Sequence, residues 1–374
     1  MQYAVVNCPA ALQGDSVKKT HDQNPFPPST IELKHPLRYS PLAYLDSLQP
    51  ADPPLLAFEH KDTGSLEHWR AGLRRKLWEL LGEPPHLPAP QPPQSRKLSS
   101  EQCGGFTREK WEIDVADGRS MPLYVLVPQQ LRGNRTVVCL HGHGNGAKDI
   151  VGLPVNDESA ALIRTLNTDY AVQCAQRGWT AIAPELFGFG ERVDRVDGAR
   201  EGFDGGCEKP SLNAIQLGRT LAGLRLKDVC VLIDWIAAVR PAALEELACI
   251  GLSGGGMLCM YAAALDQRIK RALIAGYLSQ MRGSILAIRH CSCNYVPRLA
   301  LWTDFPDIAG LIAPRRLIVQ AGRRDAIFPI ESARAAYRKV REIYQASGAA
   351  DNLRLDEHNG FHQFWSPSLD RLFG

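Results

Sequence analysis

The sequence predicts an α/β domain with a mostly parallel sheet of eight strands flanked by helices, preceded by an N-terminal proline-rich and helical extension. Two observations carry this prediction. From about residue 106 onward, short apolar runs alternate with longer helical segments, which is the pattern of a parallel sheet covered on both faces. Before that residue, proline-rich stretches surround one amphipathic segment. We therefore assign residues 1–105 to the extension and residues 106–374 to the α/β domain.

The extension contains three kinds of sequence. Residues 1–60 are rich in proline and polar residues without a sustained period, so we interpret them as an extended arm on the surface of the same or a neighbouring subunit. Residues 65–82 place five leucines and Trp69 on one helical face and end at Gly82, which predicts a helix. Residues 83–94, EPPHLPAPQPPQ, predict a stiff linker, because proline fixes the backbone and removes hydrogen-bond donors.

The predicted strands of the α/β domain fall into two groups. Arg108–Val115 and Met121–Val127 predict an antiparallel hairpin, because the Asp-Gly pair between them favours a tight turn. The other six are short apolar runs separated by helical segments, as expected for buried parallel strands. They are Thr136–Leu140, Trp179–Ala183, Ala248–Leu252, Arg271–Ala275, Leu317–Ala321 and Leu353–Glu357.

The composition indicates a globular enzyme. Apolar residues make up 45% of the chain and charged residues 22%. The formal net charge of +3 is small, so we expect neither nucleic acid nor an anionic membrane as a partner. No apolar run reaches the roughly 18 to 20 residues of a membrane span. The N-terminus also lacks the positive start and apolar core of a signal peptide, and we expect a cytoplasmic location.

The ten cysteines agree with a reducing compartment, since several lie in predicted core elements: Cys139, Cys230, Cys249 and Cys259. Cys291 and Cys293 form a C-x-C beside His290, which is one half of a metal-binding pattern. A second pair of ligands at a zinc-site spacing does not accompany them. We therefore interpret the cysteines as structural thiols and predict no metal and no cofactor.

The sharpest motif is CIGLSGGG at residues 249–256, which joins a predicted strand to a predicted helix. It contains the G-x-S-x-G of a nucleophile elbow, with Ser253 at the apex of a turn so tight that Gly251 and Gly255 cannot carry side chains. The following helix directs its N-terminal N–H groups toward the serine and favours negative charge there. The motif lacks the features of phosphate-binding loops, so we predict a nucleophilic serine.

A nucleophilic serine needs a base and a group that orients the base. In the order typical of such enzymes, the acid and then the histidine follow late strands. Asp325 follows the strand LIVQA, although a surface turn or helix cap is the alternative role for an aspartate there. The segment HNGFHQFW after the last strand offers His358 and His362. We assign His362 as the base, because it lies in the loop after Gly360, whereas His358 sits at the strand end.

The strand TVVCL leads directly into the glycine-rich run HGHGNG at residues 141–146. A loop at this place supplies one backbone N–H to an oxyanion, and the residue after the nucleophile supplies the other. We assign His143 and Gly254 as these donors. The alternative takes His141 and His143 as zinc ligands, but no carboxylate cluster accompanies the pair.

The segments HGHGNGAKDIVG, GLSGGG, LIAPRRLIVQAGRRDAIFP and HNGFHQF, in this order, resemble the dienelactone-hydrolase and acetyl-xylan-esterase-like branch of the α/β-hydrolases. The resemblance covers about residues 106–374 and implies the α/β-hydrolase fold, a Ser-His-Asp triad and ester hydrolysis through an acyl-enzyme. The chain departs from it at two places. Dienelactone hydrolases use cysteine where Ser253 stands, and acetyl xylan esterases commonly have glutamine where Gly254 stands.

Two long loops border the predicted site, at residues 187–210 and 277–306. We assign four of their aromatic residues to the wall of the substrate pocket, namely Phe187, Tyr277, Tyr295 and Trp302. The alternative interpretation makes them packing residues. Their distance from the motifs in sequence leaves both interpretations open.

The sequence therefore predicts a serine esterase acting on a small-molecule carboxylic ester. An amidase or a hydrolase of a carbon–carbon bond beside a ketone would use the same triad and stays an alternative. A peptidase fits less well, because residues 1–105 are too few for a propeller or large lid. A catalytically inactive binding protein also fits less well, because every part of the triad is retained. The N-terminal arm is a candidate interface for a homo-oligomer.

Overall fold

The computed structural model describes residues 39–49, 53–59, 66–89, 91–115, 118–194 and 206–374. The predicted N-terminal arm lies mostly outside these residues, and so does part of the loop at 187–210. Within the described residues, one nine-stranded sheet is flanked by helices, which confirms the predicted fold class.

The strands follow the order β1-β2-β3-β5-β4-β6-β7-β8-β9 across the sheet. The pairs β1–β2, β2–β3 and β3–β5 are antiparallel. The remaining neighbours, from β5 through β4 and β6 to β9, are parallel. Their bounds are β1 Ser95–Cys103, β2 Phe106–Asp114, β3 Ser120–Pro128, β4 Thr136–Leu140, β5 Thr180–Pro184, β6 Ala248–Leu252, β7 Arg271–Ala275, β8 Arg316–Gly322 and β9 Leu353–His358.

The helices of the described residues cover both faces of this sheet. They are α1 Pro41–Ser47, α2 Leu66–Leu81, α3 Ala147–Ile150, α4 Asp157–Leu166, α5 Tyr170–Gln176, α6 Glu208–Gln216, α7 Leu221–Val239, α8 Gly254–Leu265, α9 Leu299–Trp302, α10 Phe305–Gly310 and α11 Ile330–Ala346. None of them combines the length and apolar character that crossing a bilayer requires.

The sheet has one strand more than the eight predicted. The additional strand is β1, whose sequence SRKLSSEQC is exposed along almost its whole length. It forms a hairpin with β2, in which Cys103 lies opposite Phe106. Because neither face of β1 is buried, its residues carry no apolar alternation that a sequence pattern can detect. The boundary set at residues 105 and 106 falls at this hairpin turn.

The predicted amphipathic helix is α2, and it packs into the main core. Leu73, Leu77 and Leu81 are fully buried in the same apolar cluster as helices α7 and α8. Burying a leucine side chain stabilises the fold by about 1.5–3 kcal/mol. The main-chain carbonyl of Leu81 also accepts a hydrogen bond from Thr220 Oγ1 at 2.9 Å. The helix is thus fixed to the same core that supports the nucleophile elbow.

The parallel strands bring their carboxyl ends to one edge of the sheet. The loops that leave β4, β6, β8 and β9 carry, respectively, His143, Ser253, Asp325 and His362. In open α/β sheets this edge is where ligands bind. The topology therefore collects residues from distant parts of the sequence at one place.

Candidate active site

Ser253 occupies the turn between β6 and α8. Its φ of 58° and ψ of −123° are unusual for a residue with a side chain, and such strained positions cluster at functional sites. The two flanking glycines make the turn feasible. A Cβ on Gly251 would overlap the backbone of Gly255, and a Cβ on Gly255 would overlap the carbonyl oxygen of Leu140. The motif is thus explained by close backbone approach on both sides of the serine.

The helix that follows Ser253 begins at Gly254, so its first N–H groups have no intrahelical acceptor. They carry the positive end of the helix dipole next to the serine. The backbone N–H of Ser253 itself donates to the Ala275 carbonyl at 2.9 Å, which fixes the turn against β7. The elbow is therefore rigid and electropositive.

The structure brings His362 and Asp325 into direct contact. His362 Nδ1 lies 2.8 Å from Asp325 Oδ2, and the two residues are only 6% and 5% exposed. Asp325 Oδ1 accepts the backbone N–H groups of Ile327 at 2.9 Å and Phe328 at 3.0 Å. One carboxylate oxygen is thus held by the backbone, and the other is directed at the imidazole.

His362 is further held by its surroundings. Its ring stacks on Phe328 with the centroids 5.7 Å apart. The imidazole lines the same cavity as Ser253. The contact with Asp325 thus fixes which ring nitrogen faces the carboxylate, namely Nδ1.

His358, the other histidine of this segment, has different partners. Its ring stacks on Trp365 at 5.5 Å, and its Nδ1 accepts the Gly360 N–H at 3.1 Å. Burial lowers the pKa of His358 to about 4, so the imidazole is neutral at pH 7. These contacts suit a residue that shapes the loop carrying His362.

The loop after β4 lies against the elbow. A Cβ on Gly142 would stand 2.8 Å from the Leu252 carbonyl oxygen and 3.3 Å from Ser253 Cβ, so only glycine fits there. The imidazole of His143 lies over Gly254, because a Cβ at Gly254 would come within 3.2 Å of His143 Nδ1. The two predicted oxyanion donors are therefore neighbours of each other and of the serine.

His141 and His143 have different side-chain partners. His141 Nε2 accepts the backbone N–H of Leu186 at 3.1 Å and lies 3.3 Å from Glu185 Oε1 in the protein interior. His143 instead presents Nε2 to two thiols, at 3.8 Å from Cys207 Sγ and 3.3 Å from Cys293 Sγ. The group of possible metal ligands in the described residues includes His143 and not His141, so the alternative that took both histidines as ligands of one zinc ion is not supported.

Sequence reasoning missed the residues that anchor this loop. Asp149 accepts the backbone N–H of Asn145 at 2.8 Å, and buried Glu185 accepts that of Ala147 at 3.1 Å. The hydroxyl of Tyr170 donates to the Leu140 carbonyl at 2.6 Å. These contacts join elements that are distant in sequence. An aspartate within a short helix and a buried tyrosine carry no motif that distinguishes them.

The described residues line a partly open cavity of about 100 Å³ at the serine. This is smaller than the roughly 300–1,000 Å³ of pockets that hold drug-sized ligands. Its lining is mostly apolar and comprises His141, Gly142, His143, Asp149, Ile150, Leu166, Thr168, Tyr170, Leu252, Ser253, Ile327 and His362.

None of the four aromatic residues assigned to the pocket is among these lining residues. Tyr277 is 1% exposed and packs on Phe305 and Phe328. Phe187 lies under the guanidinium groups of two arginines, and Trp302 lies under the ammonium of a lysine. Tyr295 is 39% exposed, and its hydroxyl donates to the Ile285 carbonyl. The packing partners of these side chains depend on the path of each loop, and nearness to a strand end in the sequence does not determine that path.

A second cluster adjoins the site. His143, Cys207, Cys291 and Cys293 bring one ligand atom each to within 4.8 Å of all the others. Sequence analysis predicted structural thiols here, because the third thiol and the imidazole come from segments far from the C-x-C. His143 is 64 residues from Cys207 and 150 residues from Cys293. These four residues are the group in the described structure that could hold a metal ion.

Comparison with known proteins places the chain among hydrolases. The sequence model of a family described as "Abhydrolase family" matches residues 43–365. The chain is 26% identical over 291 residues to the protein named "Putative hydrolase YtaP" of Bacillus subtilis (strain 168), covering 76% of this chain and 91% of that protein.

Solved structures with the same fold include a "putative acetyl xylan esterase" from Bacteroides fragilis, with a TM-score of 0.71 at 20% identity, covering 86% of this chain and 82% of that one. A glucuronoyl esterase from Solibacter usitatus has a TM-score of 0.62 at 15% identity, covering 87% of this chain and 97% of that one. At these identities the likeness shows the α/β-hydrolase fold.

Proposed function

The chain belongs to the Abhydrolase family, and we propose that it hydrolyses carboxylic esters through an acyl-enzyme formed on Ser253. The observation that carries the proposal is the buried hydrogen bond of 2.8 Å between His362 and Asp325, on the cavity that also holds Ser253. A serine in a strained elbow, a buried imidazole and a carboxylate that orients it are the groups that acyl transfer requires. Both similar structures named above are called esterases, which supports the choice of ester over amide.

In the proposed reaction, Ser253 Oγ attacks the ester carbonyl while His362 Nε2 takes its proton. The backbone N–H groups of His143 and Gly254 hold the oxyanion, and such donors are typically worth about 3–4 kcal/mol of barrier each. His362 then protonates the leaving alcohol, and the acyl group stays on Ser253. A water molecule that gives a proton to His362 attacks the acyl-enzyme, and His362 passes that proton to Ser253 Oγ as the acid is released. Asp325 stabilises the imidazolium in both steps.

The small cavity supports a short acyl group. An acyl chain that overfills an apolar pocket costs about 1–3 kcal/mol, which corresponds to roughly a 5- to 150-fold loss of kcat/KM. We therefore expect p-nitrophenyl acetate and propionate to be turned over faster than p-nitrophenyl decanoate. A steady-state series across these esters measures the preference, and an optimum at decanoate would contradict the size argument.

The triad is tested with a matched pair of substitutions. His362→Gln and Ser253→Ala should each lower kcat by about 10⁴-fold or more, because residues that act as one unit fail together. His358→Gln should keep most of the activity, since that imidazole contacts Trp365 and Gly360. Unchanged turnover in Ser253→Ala would refute the proposal. A wild-type chain that is labelled by a fluorophosphonate but cleaves no ester would have an active serine with another bond as its target.

We also propose a cytoplasmic location, on the chemistry of the cysteines. Cys139, Cys230, Cys249 and Cys259 are buried and carry free thiols. Buried thiols act as small apolar side chains and persist in a reducing compartment. Cell fractionation with an antibody to the chain tests this location.

A further inference from the structure

We propose that His143, Cys207, Cys291 and Cys293 bind one structural Zn²⁺ ion at the edge of the active site. Their ligand atoms all lie within 4.8 Å of one another. Three thiolates and one imidazole are an established donor set for a tetrahedral zinc ion. The proposal concerns metal binding and loop structure, and its metal-content test is independent of the proposed esterase reaction.

Two distances within the cluster match the edges of a zinc tetrahedron. Zn–S bonds of about 2.3 Å and Zn–N bonds of about 2.0–2.1 Å place a nitrogen about 3.5 Å from each sulfur and the sulfurs about 3.8 Å apart. His143 Nε2 lies 3.3 Å from Cys293 Sγ and 3.8 Å from Cys207 Sγ. Both distances are within about 0.3 Å of the expected edge. All the ligand atoms lie within 4.8 Å of one another, so side-chain shifts of about 1 Å or less bring the other pairs to these edges.

The charge around the cluster also fits. Three thiolates around Zn²⁺ give a net charge of −1, which a buried site must balance. Arg225, on α7, is 3% exposed, and its Nη2 lies 3.2 Å from Cys207 Sγ. Its Nε donates to the Phe187 carbonyl at 2.9 Å, so the guanidinium is held in place. A hydrogen bond from a fixed cation to a coordinating sulfur is the kind of outer contact that stabilises a metal site.

A disulfide accounts for the cluster less well than a metal does. Any one disulfide would pair two of the three sulfurs and would not explain why the third thiol and the imidazole of His143 lie beside them. Zinc uses all four groups. Because four protein ligands fill its coordination sphere, the ion would have no open position for water or substrate. We therefore assign it a structural role and no chemical step.

The site would connect three segments around the cavity. His143 lies on the loop after β4, Cys207 directly precedes α6, and the C-x-C lies at residues 291–293. The imidazole of His143 would be held on one side by the metal and on the other by Gly254, whose missing side chain leaves room for the ring. The same residue is the proposed oxyanion donor through its backbone. Zinc would thereby fix the position of that donor, a consequence that rests on the proposed function.

The first test is metal content. The full chain, purified from cells grown with zinc, should contain about one Zn²⁺ per molecule by mass spectrometry of the metal. Cys293→Ser and Cys207→Ser should lose most of it. Cys103→Ser is the matched control, because Cys103 lies at the end of β1 outside the cluster, and it should keep the metal and the activity. Zinc in Cys293→Ser equal to that in the wild type would overturn the proposal.

A second measurement uses the unaltered chain, so that a variant that fails to fold does not decide the result. After removal of zinc by a chelator, Co²⁺ should produce the intense visible bands of a tetrahedral thiolate site. Adding Zn²⁺ should remove those bands and protect three thiols from a thiol reagent. If Co²⁺ produced no such bands and Zn²⁺ protected no thiols, the proposal would be overturned.

The zinc proposal and the proposed esterase function can be contradicted independently of each other. Ser253→Ala should lose turnover and keep the metal, because the serine is outside the ligand set. The zinc-free wild type should show a lower kcat that Zn²⁺ restores. Stoichiometric zinc in a chain without esterase activity would support the metal site and contradict only the proposed function.

Discussion

The interaction between Asp325 and His362 gives the sharpest test of the site, through the substitution Asp325→Asn. Asp325 Oδ1 accepts two backbone N–H groups, at 2.9 and 3.0 Å, and Oδ2 faces His362 Nδ1 at 2.8 Å. In asparagine only one of the two positions is an oxygen. The two backbone donors require that oxygen, so the amide NH₂ must face the imidazole.

The consequence is a change of tautomer. An NH₂ group facing Nδ1 makes that nitrogen an acceptor, so the proton of the neutral imidazole moves to Nε2. Nε2 can then no longer take the proton of Ser253. Substitution of the acid of such a triad by its amide is known to reduce kcat by about 10⁴-fold, which corresponds to about 5.5 kcal/mol of barrier. We expect a loss of about 10³- to 10⁴-fold in kcat with little change in KM.

The assay is steady-state hydrolysis of p-nitrophenyl acetate at pH 7, with near-ultraviolet circular dichroism to verify folding. Asp370→Asn is the matched control, because Asp370 is an exposed residue paired with Arg177 at 2.7 Å. It should retain the wild-type rate within about twofold, since a surface ion pair is worth about 0–1 kcal/mol. A folded Asp325→Asn chain that keeps more than a tenth of the wild-type kcat would refute the assigned role of Asp325.

Two further predictions concern stability. Gly255→Ala should lower the free energy of unfolding by about 2–4 kcal/mol, because its Cβ would overlap the Leu140 carbonyl. Gly72→Ala, in the open interior of α2, should raise that free energy by about 0.5–1 kcal/mol, and urea titrations that rank the two in the opposite order would contradict the steric argument. Burial lowers the pKa of His358 to about 4, below the roughly 6.5 of an unfolded chain, so the unfolded state binds more protons between these values. The free energy of unfolding should therefore fall as the pH drops from about 6.5 to 4, and His358→Gln should flatten this dependence; parallel curves for both chains would exclude the effect.

The sequence predicts those parts of the candidate site whose geometry depends on neighbouring residues in the chain. The elbow needs glycines two residues before and after Ser253, because the backbone closes on itself within that short stretch. The order of strands along the chain also indicates which loops lie at the carboxyl-terminal edge of the parallel strands. This order led to the assignment of Asp325 and His362. Their mutual contact is a fact of the fold.

The sequence does not predict features that depend on the exposure of a strand or on contacts between distant segments. The strand β1 carries no apolar pattern because it lies at the edge of the sheet with both faces exposed. The side chains of Phe187, Tyr277, Tyr295 and Trp302 turn to packing partners that depend on the path of whole loops.

The sequence by itself determined the fold class, the tight turn at Ser253 and the loops that carry Asp325 and His362, the proposed acid and base, since each depends on residues close together in the chain. Only the tertiary structure decided the size of the cavity and the meeting of His143 with three cysteines. The reason is physical. The ligand atoms of that cluster come from three segments, with His143 and Cys293 150 residues apart, and only the folding of the whole domain brings them together.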